Sequence, residues 1–299
     1  MSEPNPPQPL LFDRRAWRLH RERAARAGAV DFLHAEIAER LIDRLDVVNR
    51  EFAVALDLGA REGALGRALV TRRAGLRIVA AEVATGFLAQ APLPRVATDP
   101  ELLPFADASF DLVVSNLVLH WVGDLPGAFI QLRRALRPDG LLLAALLGGD
   151  TLAELRTVLF EAQLAEEGGV SPLVSPTVAL ADAAALLQRA GFALPVADSE
   201  RLTVSYPDML ALLRDLRGMG ETNALAARRR ANGLGGLRRA TLAHATALYA
   251  ERFGDAEGRI PATFEILFLC GWAPHPKQPQ PLPRGSATTR LADALKPRT

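Results

Sequence analysis

The stretch Phe52-Ala-Val-Ala-Leu-Asp-Leu-Gly-Ala-Arg-Glu-Gly-Ala-Leu-Gly-Arg67 decides the fold. Phe52 to Leu56 is a short apolar run that ends in Asp57, after which Gly59 and Gly63 bracket a tight loop. From Ala64 the period changes: Leu65, Ala68 and Leu69 are spaced by three and four, as on one helix face. Strand, glycine turn and helix form the entry unit of a doubly wound α/β sheet, which takes its ligands beyond the carboxyl ends of the strands. Gly59 is expected to let backbone approach a ligand, and Gly63 to let the helix pack tightly on its strand. A dinucleotide loop wants G-x-G-x-x-G with a diphosphate at the helix N-terminus. Here Arg61 stands where the middle glycine would be, and Asp57 would repel a diphosphate while suiting a cationic ligand. Taken alone, the loop also fits an ordinary glycine turn at a buried strand end.

Downstream, Leu76 to Ala81 reads as a second buried strand ending in Glu82, twenty-three residues after Gly59. An acid about 20 positions past the first glycine is where such sheets bind ribose hydroxyls. The alternative is a carboxylate that merely starts a helix. Next comes Val96-Ala-Thr-Asp-Pro-Glu-Leu-Leu-Pro-Phe-Ala-Asp-Ala-Ser-Phe-Asp-Leu-Val-Val-Ser-Asn116, in which Asp111 begins a fourth strand. Ser115 and Asn116 open its carboxyl end, with His120 and Trp121 at the rim.

Together these segments resemble class I S-adenosylmethionine-dependent methyltransferases, whose loop Asp-x-Gly-x-Gly-x-Gly is matched here except for the middle glycine. The resemblance implies a Rossmann-like α/β fold, a seven-stranded and mostly parallel sheet whose last strand runs antiparallel. It implies S-adenosylmethionine as cofactor, held by Asp57, Gly59, Gly63, Glu82, Asp99, Pro100 and Asn116. In that family the acid matching Asp99 accepts a hydrogen bond from the adenine amino group, and Pro100 or its neighbours pack on the ring. The ligand's ammonium and sulfonium agree with the charge of Asp57.

Bulk composition sets limits. With 299 residues, 49% of them hydrophobic and 23% charged, the chain is globular rather than disordered. A formal net charge of +1 gives no general case for nucleic acid as a partner. Cys270 is the only cysteine, so neither an intramolecular disulfide nor a thiolate cluster is available. No apolar run approaches the ~18 residues of a membrane span; Leu141 to Leu147 reads as a buried strand.

The N-terminal residues 1–10 are expected to be disordered, and 11–50 to form a helical cap. Leu10 to Arg26 mixes Leu10, Leu11, Phe12, Trp17 and Leu19 with six arginines. Two readings stay open: a cap helix with a solvated arginine face, or a basic amphipathic helix making peripheral contact with an anionic membrane or partner. Asp13 and Glu22 count against a transit peptide. His20 and Glu22, like His34 and Glu36, imitate half of a metal site, but helix positions two apart diverge by roughly 200°. No metal is expected.

The main domain is expected over 51–273. Asp124 is a candidate N-cap before Leu125-Pro126, and Arg137-Pro-Asp-Gly140 a turn into the fifth strand. Asp150 or Thr151 is expected to cap the next helix, and Thr177 to Ala190 to form another. A helical insertion over about 206–255, with helices from Tyr206 and Leu234, precedes the last strand, Pro261 to Trp272. A proline-rich tail covers 274–299.

The second half carries a sharper resemblance. Gly148-Gly-Asp-Thr-Leu, Leu216-Arg-Gly-Met-Gly-Glu-Thr-Asn223, Pro261-Ala-Thr-Phe and Arg284-Gly-Ser-Ala-Thr288 are similar to the respiratory complex I assembly factors of methyltransferase fold. Phe12-Asp-Arg14 is as well. That family implies hydroxylation or methylation of a protein arginine on an assembling complex I subunit, in the bacterial cytoplasm or the mitochondrial matrix. A guanidinium needs carboxylates, and Asp150 and Glu221 are the acids in family-like segments; either could instead be a cap or surface charge. His120 is a candidate base or simply a rim residue. Hydroxylation needs a metal or redox cofactor, since side chains alone do not activate dioxygen, and the sequence shows no motif for one. Two alternatives are a carboxyl methyltransferase of an acyl-carrier-linked or small-molecule substrate, and a non-catalytic assembly chaperone whose loop is degenerate at Arg61 and Glu62.

Overall fold

A computed structural model describes residues 10–227, 237–279 and 286. The expected start over 1–9, most of the tail and the Arg284 to Thr288 segment fall outside that range, apart from Ser286. So do residues 228–236 of the expected insertion.

Two helices come first, α1 (Arg14–Ala27) and α2 (Phe32–Asp46). Asp13 caps α1, its side chain accepting from the Ala16 amide. α2 buries Leu33, Ile37, Leu41 and Leu45, which recur every fourth residue and form one stripe against the sheet. The sheet then begins with β1 (Val54–Leu58), α3 (Ala64–Arg72), β2 (Arg77–Glu82), the short α4 (Thr85–Leu88), β3 (Arg95–Ala97) and β4 (Phe110–Asn116). After a 3-10 turn over Leu119–Trp121 come α5 (Leu125–Ala135) and β5 (Leu136–Leu147). The second half contributes α6 (Ala153–Glu167), α7 (Leu180–Arg189), β6 (Ala193–Tyr206), α8 (Met209–Met219), α9 (Arg239–Phe253) and β7 (Ile260–Trp272).

The strands form one sheet in the order β3-β2-β1-β4-β5-β7-β6, parallel through β5, with β7 antiparallel to both of its neighbours. Strands buried on both faces read as unbroken apolar runs. Leu141 to Leu147 is such a run, every residue buried between two helical layers. The strand order reverses between β1 and β4, which puts a crevice above their carboxyl ends.

Several local expectations are revised. The Arg137 to Gly140 turn is an irregularity within β5, with Asp139 at φ 64°, and Leu136 already pairs with Phe110. Neither Asp150 nor Thr151 caps α6: Leu152 takes that position in the left-handed region, and the Thr151 hydroxyl donates to the Glu265 carbonyl. Tyr206 ends β6 rather than starting a helix, because Asp208 supplies the cap, accepting from the Ala211 amide. Thr177 to Ala179 stays outside α7.

Candidate active site

β1 delivers Asp57 to the floor of the crevice. Its side chain is buried, neither carboxylate oxygen has a hydrogen-bond partner, and burial pushes its pKa up to about 7, against a weaker pull from the Gly66 amide. A buried, unpaired carboxylate is costly unless a donor or cation meets it. The two loop glycines both have positive φ, 78° and 79°. Their space is taken by the chain itself: a Cβ on Gly59 would lie 2.6 Å from Val118, and one on Gly63 would collide with Pro92. Packing thus demands both glycines before any ligand does.

Arg61 occupies the loop's left-handed position at φ 48° and turns its side chain inward. The guanidinium donates to the carbonyls of Met219 at 3.0 Å and Val30 at 3.3 Å, lies against the His34 ring, and sits 4.6 Å from the Phe87 ring centroid. Burial and the like charge of Arg21 lower its pKa. Burial, Arg61 and Arg21 together hold His34 well below the usual histidine range, so it is neutral at pH 7. Asn116 donates from its amide to the His34 carbonyl at 2.9 Å, while its own Oδ1 is buried without a partner.

Glu82, at the tip of β2, meets Arg21 of α1 in a two-pronged pair, Nε to Oε1 at 2.9 Å and Nη2 to Oε2 at 2.6 Å. The Ala84 amide donates to Oε1 at 3.0 Å and the Arg61 amide to Oε2 at 3.2 Å. A carboxylate has about four acceptor positions, and all of those on Glu82 are filled. Burial works against its charge, but Arg21 outweighs it and holds Glu82 below the usual carboxylate range. Asp99 is gripped in the same manner by Arg14, Nε to Oδ2 at 2.8 Å with a second short contact from Nη2 to Oδ1. The Glu101 amide also donates to Oδ1, leaving Asp99 one open acceptor. Pro100 is buried beside it. With α1 docked, the residues fit an adenosyl ligand only in part: Asp57 is open to a cation and Asp99 to one donor, but Glu82 has nothing left for a ribose.

Sequence reasoning missed Arg14, Trp17 and Arg21 as site residues. Their spacing of three, four and seven around an aromatic was the available signal, and it was read as an outer face. The exposed arginines of α1 are Arg15, Arg18, Arg23 and Arg26.

Beside the strand tips lies a cavity of about 410 Å³, lined largely by leucines of α2, α6, α8 and α9 together with Leu117, Leu147 and Phe264. His120 and Glu221 share the lining with His34, Arg217, Asn223 and several hydroxyl side chains. Nε2 of His120 is 2.9 Å from Glu221 Oε2, and the Trp121 indole donates to the same oxygen at 2.8 Å. Oε1 of Glu221 and Nδ1 of His120 are buried with no partner. Burial opposes the charge on Glu221, yet His120, Arg21 and Trp121 keep its pKa low. Asp150, the other expected acid, is not in the cavity lining: it lies on the surface, half exposed, paired with Arg201. Among the described residues, no three His, Cys, Asp or Glu side chains gather as metal ligands.

Seven strands in this order, acidic tips on β1 and β2, and a glycine loop between β1 and α3 define a class I methyltransferase fold. A methyltransferase-domain family model matches residues 56–144. The chain is 38% identical over 294 residues to the mitochondrial arginine-hydroxylase NDUFAF5 of Danio rerio, covering 96% of this chain and 90% of that protein. It therefore belongs to the family of methyltransferase-fold enzymes that contains NDUFAF5. A malonyl-[acyl-carrier protein] O-methyltransferase of Xylella fastidiosa is 38% identical over 251 residues, 81% of each chain. The YcgJ protein of Bacillus subtilis, at 15% identity and TM-score 0.55 over 80% of this chain and 99% of that one, shares the fold.

Proposed function

We propose that this chain binds S-adenosylmethionine at the tips of β1 and β2 and modifies an arginine side chain on an assembling NADH:ubiquinone oxidoreductase subunit, by hydroxylation or methylation. The NDUFAF5 relatives supply the reaction class, and Glu221 is the observation that carries the substrate. An ionised carboxylate with an unpartnered buried oxygen, in a cavity lined mainly by apolar side chains but also by Arg217, suits a guanidinium on an apolar stem. His120 and the Trp121 indole hold its other oxygen, so Oε1 is the one left for substrate. Bound S-adenosylmethionine would supply an activated methyl group on a sulfonium. Asp57, Gly59, Gly63, Glu82, Asp99, Pro100 and Asn116 are the residues assigned to holding it, and Asp57 is the one whose carboxylate stands open for a cation.

Intact-mass analysis of candidate complex I subunits co-expressed with this chain tests the reading. A gain of one oxygen identifies hydroxylation, a gain of one methylene identifies methylation, and an unchanged mass in every subunit rejects both. The leucine-lined cavity also favours a second reading, methyl transfer to a carboxyl group on an acyl-carrier-linked chain. Methylation of a malonyl thioester by the purified chain would establish that one instead.

A further inference from the structure

Arg14, Trp17 and Arg21 lie on one side of α1, since residues three, four and seven apart return to the same helix face. All three point into the crevice: Arg14 to Asp99, Arg21 to Glu82, and Trp17 wholly buried between them with the Arg14 guanidinium 4.2 Å from its ring centroid. We propose that α1 is a built-in competitor for the cofactor. Arg21 holds the carboxylate a ribose would need, so α1 docking and adenosyl binding exclude one another. This rests on the cofactor reading above and concerns the same strand tips.

The chemistry decides which partner Glu82 prefers. A ribose hydroxyl is a neutral donor, whereas Arg21 offers two charge-assisted hydrogen bonds and a full compensating charge. Both side chains are buried, 1% and 0% exposed, so water does not weaken the pair. The ligand cannot add to this arrangement, because no acceptor position on Glu82 is open; it has to replace Arg21. Replacement means moving α1, which is also held elsewhere along its length, at His20 against the Thr222 carbonyl among other points. Glu22 accepts from the Thr85 amide and hydroxyl and from the Gly86 amide, the Asp13 amide donates to the Ala224 carbonyl, and Arg14 donates to the Trp121 carbonyl. Working against docking, the Trp17 indole nitrogen is buried with no hydrogen-bond partner. A helix pinned at both ends but leaving a buried donor unsatisfied in its middle is suited to exchange with a ligand. Were α1 undocked in only about 1% of molecules, apparent cofactor affinity would fall about 100-fold below the intrinsic value.

The test pairs calorimetry with hydrogen exchange, using the full chain and S-adenosylmethionine. Glu22→Gln and Asp13→Ala, which removes the α1 cap, loosen α1 without touching Glu82 or Asp99. Each is expected to bind the cofactor about tenfold tighter than the unsubstituted chain, and cofactor is expected to speed exchange of the amides over 14–27 in the unsubstituted protein. Equal affinities, with α1 protection unchanged or increased by cofactor, would overturn the competition while leaving the cofactor reading in place, α1 being then a lid. Absence of binding by all three proteins at millimolar ligand would remove the cofactor reading itself and the competition with it. The exchange measurement needs no variant, so a variant that fails to fold does not spare the proposal.

Discussion

Nε2 of His120 stands 2.9 Å from Oε2 of Glu221, with both side chains more than nine-tenths buried. The contact leaves Oε1 of Glu221 as an unpartnered charged acceptor in the cavity lining. Glu221→Gln keeps the shape and removes the charge. A hydrogen bond to a charged group contributes about 1.5–3 kcal/mol, so affinity for an arginine-containing substrate peptide should fall roughly 10- to 100-fold. An unchanged dissociation constant would detach Glu221 from the substrate.

The sheet was legible because its signals are local. Apolar runs ending in Asp57 and Glu82, and the Ser-Phe-Asp entry to β4, carry their own periodicity and spacing. Few acids lie in the family-like segments, so Glu221 and Asp150 stood out alike; that only Glu221 lines the cavity was not legible, because the pairing of Asp150 with Arg201 depends on β6, a strand fifty residues on. The grip of α1 on Glu82 and Asp99 spans 61 and 85 residues and has no local trace. An arginine on a helix looks the same in sequence whether it faces water or a buried carboxylate.

Arg61→Gly tests what the arginine contributes at a left-handed position. A non-glycine residue there costs about 1–2 kcal/mol, which glycine would recover. Against this, the Met219 and Val30 carbonyls lose their donor and Phe87 loses its cation; a buried group left unsatisfied costs about 1–3 kcal/mol. The losses outnumber the gain. The melting temperature should fall by roughly 2–6 °C, with cofactor binding tightened because the space beside His34 opens. A melting temperature that rises would show that backbone strain outweighs those contacts.

Arg21→Met leaves Glu82 buried with only two backbone donors. Removing one member of a buried ion pair costs about 3–5 kcal/mol, much of it from the charge left behind. The double substitution Arg21→Met with Glu82→Gln should recover at least about 2 kcal/mol of that loss by removing the stranded charge. Urea unfolding of the three proteins provides the comparison. A loss below about 1 kcal/mol for the single variant, the level of an exposed pair, would mean that water reaches the pair.

Asp57 should make stability depend on pH in the opposite sense from the paired acids. An aspartate in the unfolded chain titrates near about 3.9, whereas burial raises Asp57 to about 7 in the folded protein. Between those values the folded state keeps a proton that the unfolded state has released. The Asp57 contribution to stability therefore declines as pH rises from about 4 to about 7 and levels off above, with an upper limit of about 4 kcal/mol for the full change. Glu82 and Glu221 have depressed values, so the stability they contribute is present above about pH 4.5 and is lost only as pH falls below it. Asp57→Asn removes the titrating group without changing its size. His34, held low in the folded state, makes both proteins gain stability as pH rises toward about 6.5, so the Asp57 effect is read as a difference. In urea unfolding from about pH 5 to about pH 8 the midpoint of the variant should climb relative to that of the unsubstituted chain, the variant becoming the more stable protein at the upper end. Parallel curves for the two proteins would mean that Asp57 is already paired, and the crevice floor would then hold no free carboxylate for a sulfonium.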